Sequence, residues 1–205
     1  MKKYGYICAF WLMLASFGIA AYGQGDSKQT IDASYDISLK IVVGSNGTGK
    51  SGDLGQDLAG VSRQLRSTFP FASYRLAGTF VGRISNTGNY EYKSVSDIFE
   101  PAAGQRYSPT FLEWSLNNLR SGQTAKGENA FQVQQLRFGA RVSVVVDGDG
   151  GEAGKRVPGV SYESIGLSLA RIGLAESTPT LIGTINLPGS EGTMFLVMTI
   201  SPADR

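Results

Sequence analysis

YDISLKIVVGSNGTGKSGDLGQDLAGVSRQLRSTF, residues 35–69, holds the one convincing helical pattern of the chain, and it follows a strand and a glycine-rich loop. Tyr35, Ile37, Leu39, Ile41 and Val43 alternate with Asp36, Ser38 and Lys40, the period of two of a half-buried strand. Beyond the loop, Asp53 is a candidate N-cap. Leu54, Leu58, Val61, Leu65 and Phe69 then fall on one helical stripe opposite Gln56, Arg63 and Arg66, and Pro70 ends the pattern. So narrow a stripe predicts a helix lying on the face of a sheet.

The rest of the chain reads as strands. Tyr74, Leu76, Gly78, Phe80, Gly82 and Ile84 alternate with polar residues, and Asn86-Thr87-Gly88-Asn89 carries turn chemistry, predicting a hairpin whose return strand is Tyr90 to Val95. Periodicity is lost over 96–109, the expected linker. Leu112, Trp114 and Leu116 then alternate inward, as do Leu136, Phe138, Ala140, Val142, Val144 and Val146. Phe131 and Val133 are in the opposite phase, which predicts a bulge near Gln134 or Gln135. Three further strands follow, around Ile165 to Leu169, Leu181 to Leu187 and Met194 to Ile200. The expected fold is α+β, mostly β: a small β-α-β-β unit at 24–95, the linker at 96–109, and an antiparallel β-sandwich-like half at 110–205.

Lys2 and Lys3 precede an apolar run from Ile7 to Ala21, followed by Ala21-Tyr22-Gly23 with small residues where a signal peptidase reads. Residues 1–23 are expected to be a signal peptide cleaved before Gln24, because the run is shorter than the roughly 20 residues of a spanning helix. The expected location is the periplasm or outer envelope, with no stable membrane anchor after cleavage. Of 19 basic residues two lie in the leader, leaving 17 against 17 acidic ones, so no electrostatic footprint for nucleic acid is expected. The single cysteine, Cys8, is in the leader, and the chain has no histidine. Histidine-dependent triads, thiol nucleophiles and ordinary zinc or copper sites are thereby excluded, and no metal site, cofactor or catalytic residue is nominated.

Gly44-Ser45-Asn46-Gly47-Thr48-Gly49-Lys50-Ser51 satisfies the pattern G-x-x-x-x-G-K-[ST]. Over these residues and Val144-Val145-Val146-Asp147 the chain resembles the P-loop NTPase family. The resemblance implies nucleotide binding, with Lys50 on the β and γ phosphates, Ser51 on magnesium and Asp147 helping to hold the metal. The chain departs from that family where Gly52 and Gly55 interrupt the turn that should face the phosphates, and where no second helix supplies a parallel crossover. Asp147-Gly148-Asp149-Gly150-Gly151-Glu152 has oxygen ligands at alternate positions, but Pro158 stands where an EF-hand needs its twelfth-position glutamate. A glycine-rich loop between strands accounts for the same residues.

Glu91, Asp97, Glu100, Glu113, Glu163 and Glu176 are the carboxylates available for acid–base chemistry, without a spacing that pairs any two. Tyr74, Tyr90, Tyr92, Tyr107 and Trp114 are the aromatics that a periplasmic carbohydrate-binding module would expose, although aromatics in strands are more often core. Arg137 and Arg141 share one face of the best strand, either solvated or facing a partner's acidic groups. With much to pack and little to react, the chain reads as an exported, non-catalytic binding or assembly module that self-associates or joins an envelope protein. Met194 to Ile200 is the expected joining edge. Intact-mass and N-terminal analysis of protein from fractionated cells is expected to find a chain starting at Gln24 in the envelope fraction; Met1 retained in soluble cytoplasm would overturn the export reading.

Overall fold

The computed structural model describes residues 33–47, 52–96, 98, 109–148, 157–188 and 192–203. The expected signal peptide lies outside them, as do Lys50, Ser51 and most of the 96–109 segment. Strand β1 (Ser34–Ser45) leads through a 3-10 turn (Gln56–Leu58) into helix α1 (Ala59–Thr68), and β2 (Ser73–Ser85) follows. The chain continues as β3 (Asn89–Ser96), β4 (Thr110–Gln123), β5 (Asn129–Gly148), β6 (Val157–Ala175), β7 (Thr180–Asn186) and β8 (Gly192–Pro202). The first sheet has the order β2-β1-β8-β7 and the second β3-β4-β5-β6, with antiparallel pairing throughout. The mostly-β α+β expectation holds. The second sheet is a meander inserted between the first and last strand pairs of the first, so residues 24–95 and 110–205 share both sheets.

The sheets bury their facing sides against each other. Ile37, Leu39 and Ile41 of β1 and Met194, Leu196, Met198 and Ile200 of β8 meet Leu112, Trp114 and Leu116 of β4 and Leu136, Phe138 and Ala140 of β5. On the other side of the first sheet, Val42, Phe195 and Val197 meet Leu54, Leu58, Val61 and Leu65 of the helical segment. The helix therefore rests on a sheet face, as its stripe predicts. Strand β8 is consequently buried on both faces, which corrects the expectation that Met194 to Ile200 is an edge: it is an inner strand between β1 and β7. A strand covered on both sides needs apolar residues at successive positions.

The helix departs from its expected start. Asp53 accepts a hydrogen bond from the Gly55 amide (3.0 Å) but does not cap α1, which begins four residues further on than Gly55. Asp57, in the entering turn, forms an ion pair with Lys40 of β1 that holds its carboxyl below the usual value. At the other end, the Leu65 carbonyl accepts the Phe69 amide (2.8 Å), and the Tyr74 hydroxyl donates towards the carbonyls of Phe69 (2.7 Å) and Leu65 (3.1 Å), closing the helix terminus.

A second correction concerns Asn86 to Asn89. These residues do not close a hairpin: β2 pairs with β1 and β3 with β4. Phe80 of β2 and Tyr92 of β3 instead stack across the sandwich, ring centroids 5.3 Å apart, and Tyr90 lies against Gly82. Both strands carry inward aromatics that must share one core, so the turn carries the chain from one sheet to the other. Among the described residues no helix is long and apolar enough to cross a membrane. Leu196→Ala, at a fully buried position of the central strand, is expected to cost about 2–5 kcal/mol in urea unfolding, and Val81→Ala, 70% exposed, less than about 0.5 kcal/mol.

Candidate functional site

The helix covers part of the outer side of the first sheet, whereas no described helix packs on the outer side of the second. Alternation along each strand sends one set of side chains inward and leaves the other on this open face. Strand register assembles the exposed set into rows. Glu91 is opposite Ser115, Ser115 opposite Arg137, and Arg137 opposite Ser168. In the next row come Lys93, Glu113, Gly139 and Gly166, followed by Val95, Phe111, Arg141 and Ser164.

The adjacent glycines Gly139 and Gly166 lower the floor of this face, forming two adjoining shallow troughs of about 490 Å³ each. One is lined by Glu91, Glu113, Arg137 and Ser168, the other by Lys93, Val95, Phe111 and Arg141. Lys93 is hydrogen-bonded to Glu91 at 2.8 Å, and this contact, helped by the charges of Glu91 and Glu113, raises the lysine pKa. Arg141 sits against a pair of rings, its guanidinium carbon 6.0 Å from the centroids of both Phe111 and Tyr162. Those rings meet edge to face at 5.7 Å and stay partly open, 41% and 36% exposed. Contact with two aromatic rings restrains the arginine before any partner arrives.

Further along the face all three long strands change phase in one row. The buried positions run Leu112, Trp114, Leu116 and then Leu119 in β4, and Phe131, Val133 and then Leu136 in β5. In β6 they run Leu167, Leu169 and then Ile172 and Leu174. Asn118, Gln134 and Arg171 are left out of the ladders on either side, so three irregularities align across the sheet. No residue is inserted near Gln134 or Gln135, which corrects the expected bulge: the register runs on unchanged on both sides of Gln134, and the change of phase is one row shared by all three strands. The sequence shows its other parts in the three-residue steps Leu116 to Leu119 and Leu169 to Ile172. Asn118 and Arg171 have φ of 53° and 56°, the left-handed region.

The candidate residues from the sequence have separate fates. Tyr74 and Trp114 are buried, and Tyr90 and Tyr92 turn inward with Tyr90 stacked on Trp114 at 4.8 Å, so these four build core and not a sugar platform. Tyr107 lies outside the described residues, as do Asp97 and Glu100. Glu91 and Glu113 share a trough, while Glu163 and Glu176 do not line it. Gly44 remains in β1, antiparallel to both neighbours, and the helix starts well beyond Ser51. The Asp147 side chain and residues 149–156 also lie outside the description. Among the described residues no group of three His, Cys, Asp or Glu is placed to hold a metal ion. The open pair Phe111 and Tyr162 was not singled out by sequence, since only the register brings them to Arg141.

No protein-family model and no curated protein matches the chain. Among solved structures it matches the secretin InvG of the Salmonella SPI-1 type III secretion injectisome (residues 176 to the end, open gate state). The two are 10% identical, with a TM-score of 0.31 over 99% of this chain and 67% of that one.

The trough floor can be tested directly. A Cβ on Gly166 would stand 2.5 Å from the Phe138 carbonyl oxygen, whereas one on Gly173 of the same strand meets nothing within 4 Å. Gly166→Ala is expected to lower stability by about 1–3 kcal/mol in thermal or urea unfolding, and Gly173→Ala to leave it unchanged or slightly raised.

Proposed function

We propose that this is an exported, non-catalytic envelope protein that works as a binding or assembly module, and that its docking surface is the open face of the second sheet. The observation that carries the reading is the cluster of Arg141 with Phe111 and Tyr162 on a face that no described element covers. Arginine and large aromatics are the residues that dominate binding energy at protein interfaces, above all when they are ordered beforehand. Charge selects the partner. The face bears Lys93, Arg120, Arg137, Arg141 and Arg171 against Glu91 and Glu113, and Glu91 is engaged by Lys93. The fitting occupant is an acidic segment of another protein, laid along the trough with carboxylates towards Arg137 and Arg141.

The neighbouring edge supports the same reading. β6 spans 19 residues, Val157–Ala175, and ends the second sheet, with only Glu163 and Arg171 charged along its length. The other edges are shorter: 13 residues for β2, 8 for β3 and 7 for β7. A long edge with few charges accepts an added strand readily. Assembly thus has both an anchor on the face and a backbone rail beside it.

A photo-crosslinking residue placed at Tyr162 in cells is expected to trap one discrete acidic envelope protein, identified by mass spectrometry. Adding Arg137→Glu and Arg141→Glu is expected to reduce the adduct about tenfold or more, the loss of roughly 1.4 kcal/mol. The same probe at Arg63 on the helix should trap none. Equal adducts from both positions, or adducts indifferent to the charge reversals, would sink the proposal.

A further inference from the structure

The aligned irregularities enclose a feature distinct from the aromatic–arginine stack. Asn118, Arg120, Gln132, Gln134 and Arg171 line a hollow of about 200 Å³, and no carboxylate is among them. Asn118 is fixed from behind: its backbone amide donates to the Gly88 carbonyl (3.1 Å) and to the Asn89 side-chain oxygen (3.0 Å). Its own side-chain amide donates to the Gln134 carbonyl oxygen, and its Oδ1 accepts from Arg120 Nε at 3.3 Å. Gln134 thus has its NH₂ left to donate, and Arg120 is held by Nε with its terminal nitrogens free for another acceptor. Arg171 makes no hydrogen bond or ion pair among the described residues, although its backbone is in the left-handed region. Holding a non-glycine residue there has a conformational cost, and such residues gather at ligand clamps.

We propose that this hollow binds a tetrahedral dianion, the phosphate or sulfate group of a ligand. Two guanidinium charges with no ion pair among the described residues match a charge near −2. The donors of two arginines and two glutamines outnumber what the two oxygens of a carboxylate accept, and they suit three or four oxygens arranged around one centre. Strand register is what makes the site. Between the flanking ladder pairs Asn118, Gln134 and Arg171 stand opposite one another on three neighbouring strands, and Arg120 and Gln132 form the opposed pair two residues along, so all five share one face.

The probe is inorganic phosphate, titrated at constant ionic strength into isotope-labelled protein while the side-chain amides of Gln132 and Gln134 and the Arg171 Nε–H signal are followed by NMR. Saturable shifts confined to the hollow are expected, with sulfate close behind and acetate at least about tenfold weaker. Arg120→Gln and Arg171→Gln should each weaken phosphate at least about tenfold, the loss of a charged hydrogen bond. Arg171→Gly removes the charge while relieving the backbone, so it should bind as weakly yet melt no lower than the parent. A phosphorylated sugar and a sulfated oligosaccharide then distinguish free anion from ligand group: tighter binding of either names the source, and equal affinity of all three assigns the free anion. Shifts that rise without saturation, or Arg171→Gly binding phosphate as the parent does, would overturn the proposal.

Discussion

The pairing of β1 with β8, from Tyr35 opposite Pro202 to Ser45 opposite Gly192, is the constraint on which the remaining structure depends. These strands come from opposite ends of the described chain, so the whole meander of the second sheet is closed between them. Their residues serve two cores at once. Leu39 and Leu196 meet the second sheet, while Val42 and Phe195 meet the helix. The layered arrangement of helix, sheet and sheet therefore turns on one strand pair buried from both sides, and a cavity there weakens both packing surfaces.

What was legible in the sequence was what depends on local periodicity. The alternation of Tyr35 to Val43 and of Leu136 to Val142 identified strands, and the Leu58, Val61 and Leu65 stripe identified a helix covering a sheet. The change of phase between Val133 and Leu136 was visible too, but it marks a row left out of the ladders in unbroken register and not the inserted residue of a bulge. What was not legible was what depends on partners distant in the chain. An unbroken run such as Met194 to Val197 is compatible with an exposed edge or with a strand covered twice, and only the position of β1 and the helix decides. Similarly, Asn86 to Asn89 carries turn residues whether the chain reverses within one sheet or passes to the other; the stacking of Phe80 on Tyr92 selects the latter.

The open face follows the same division. Arg137 and Arg141 could be placed together from their spacing alone. Phe111 and Tyr162 reach Arg141 through two different neighbouring strands, and Arg120 and Arg171 reach one hollow through the register of β4, β5 and β6. Composition excluded histidine chemistry but did not point to arginine, because 19 basic residues against 17 acidic ones give little net signal. The charge is sorted by folding: Lys93 and four arginines collect on the open face, while acids such as Asp36 and Asp57 are engaged elsewhere, by Arg83 and Lys40.

This sorting separates stability from recognition. An antiparallel sheet can present one face to water because its alternation keeps the apolar set on the other side. The residues facing outward in the second sheet can therefore be chosen for a partner without altering the core beneath them. The row of Asn118, Gln134 and Arg171 is the exception, since there the strands change which residues face inward on β4, β5 and β6 together. A single bulge would put one strand out of phase with its neighbours and strand its apolar residues on the wrong face. Three phase changes in line, with the register unbroken, keep Leu119, Val133 and Ile172 in the same core, so the sheet retains its packing and the strain at Asn118 and Arg171 is borne where it shapes an open polar hollow.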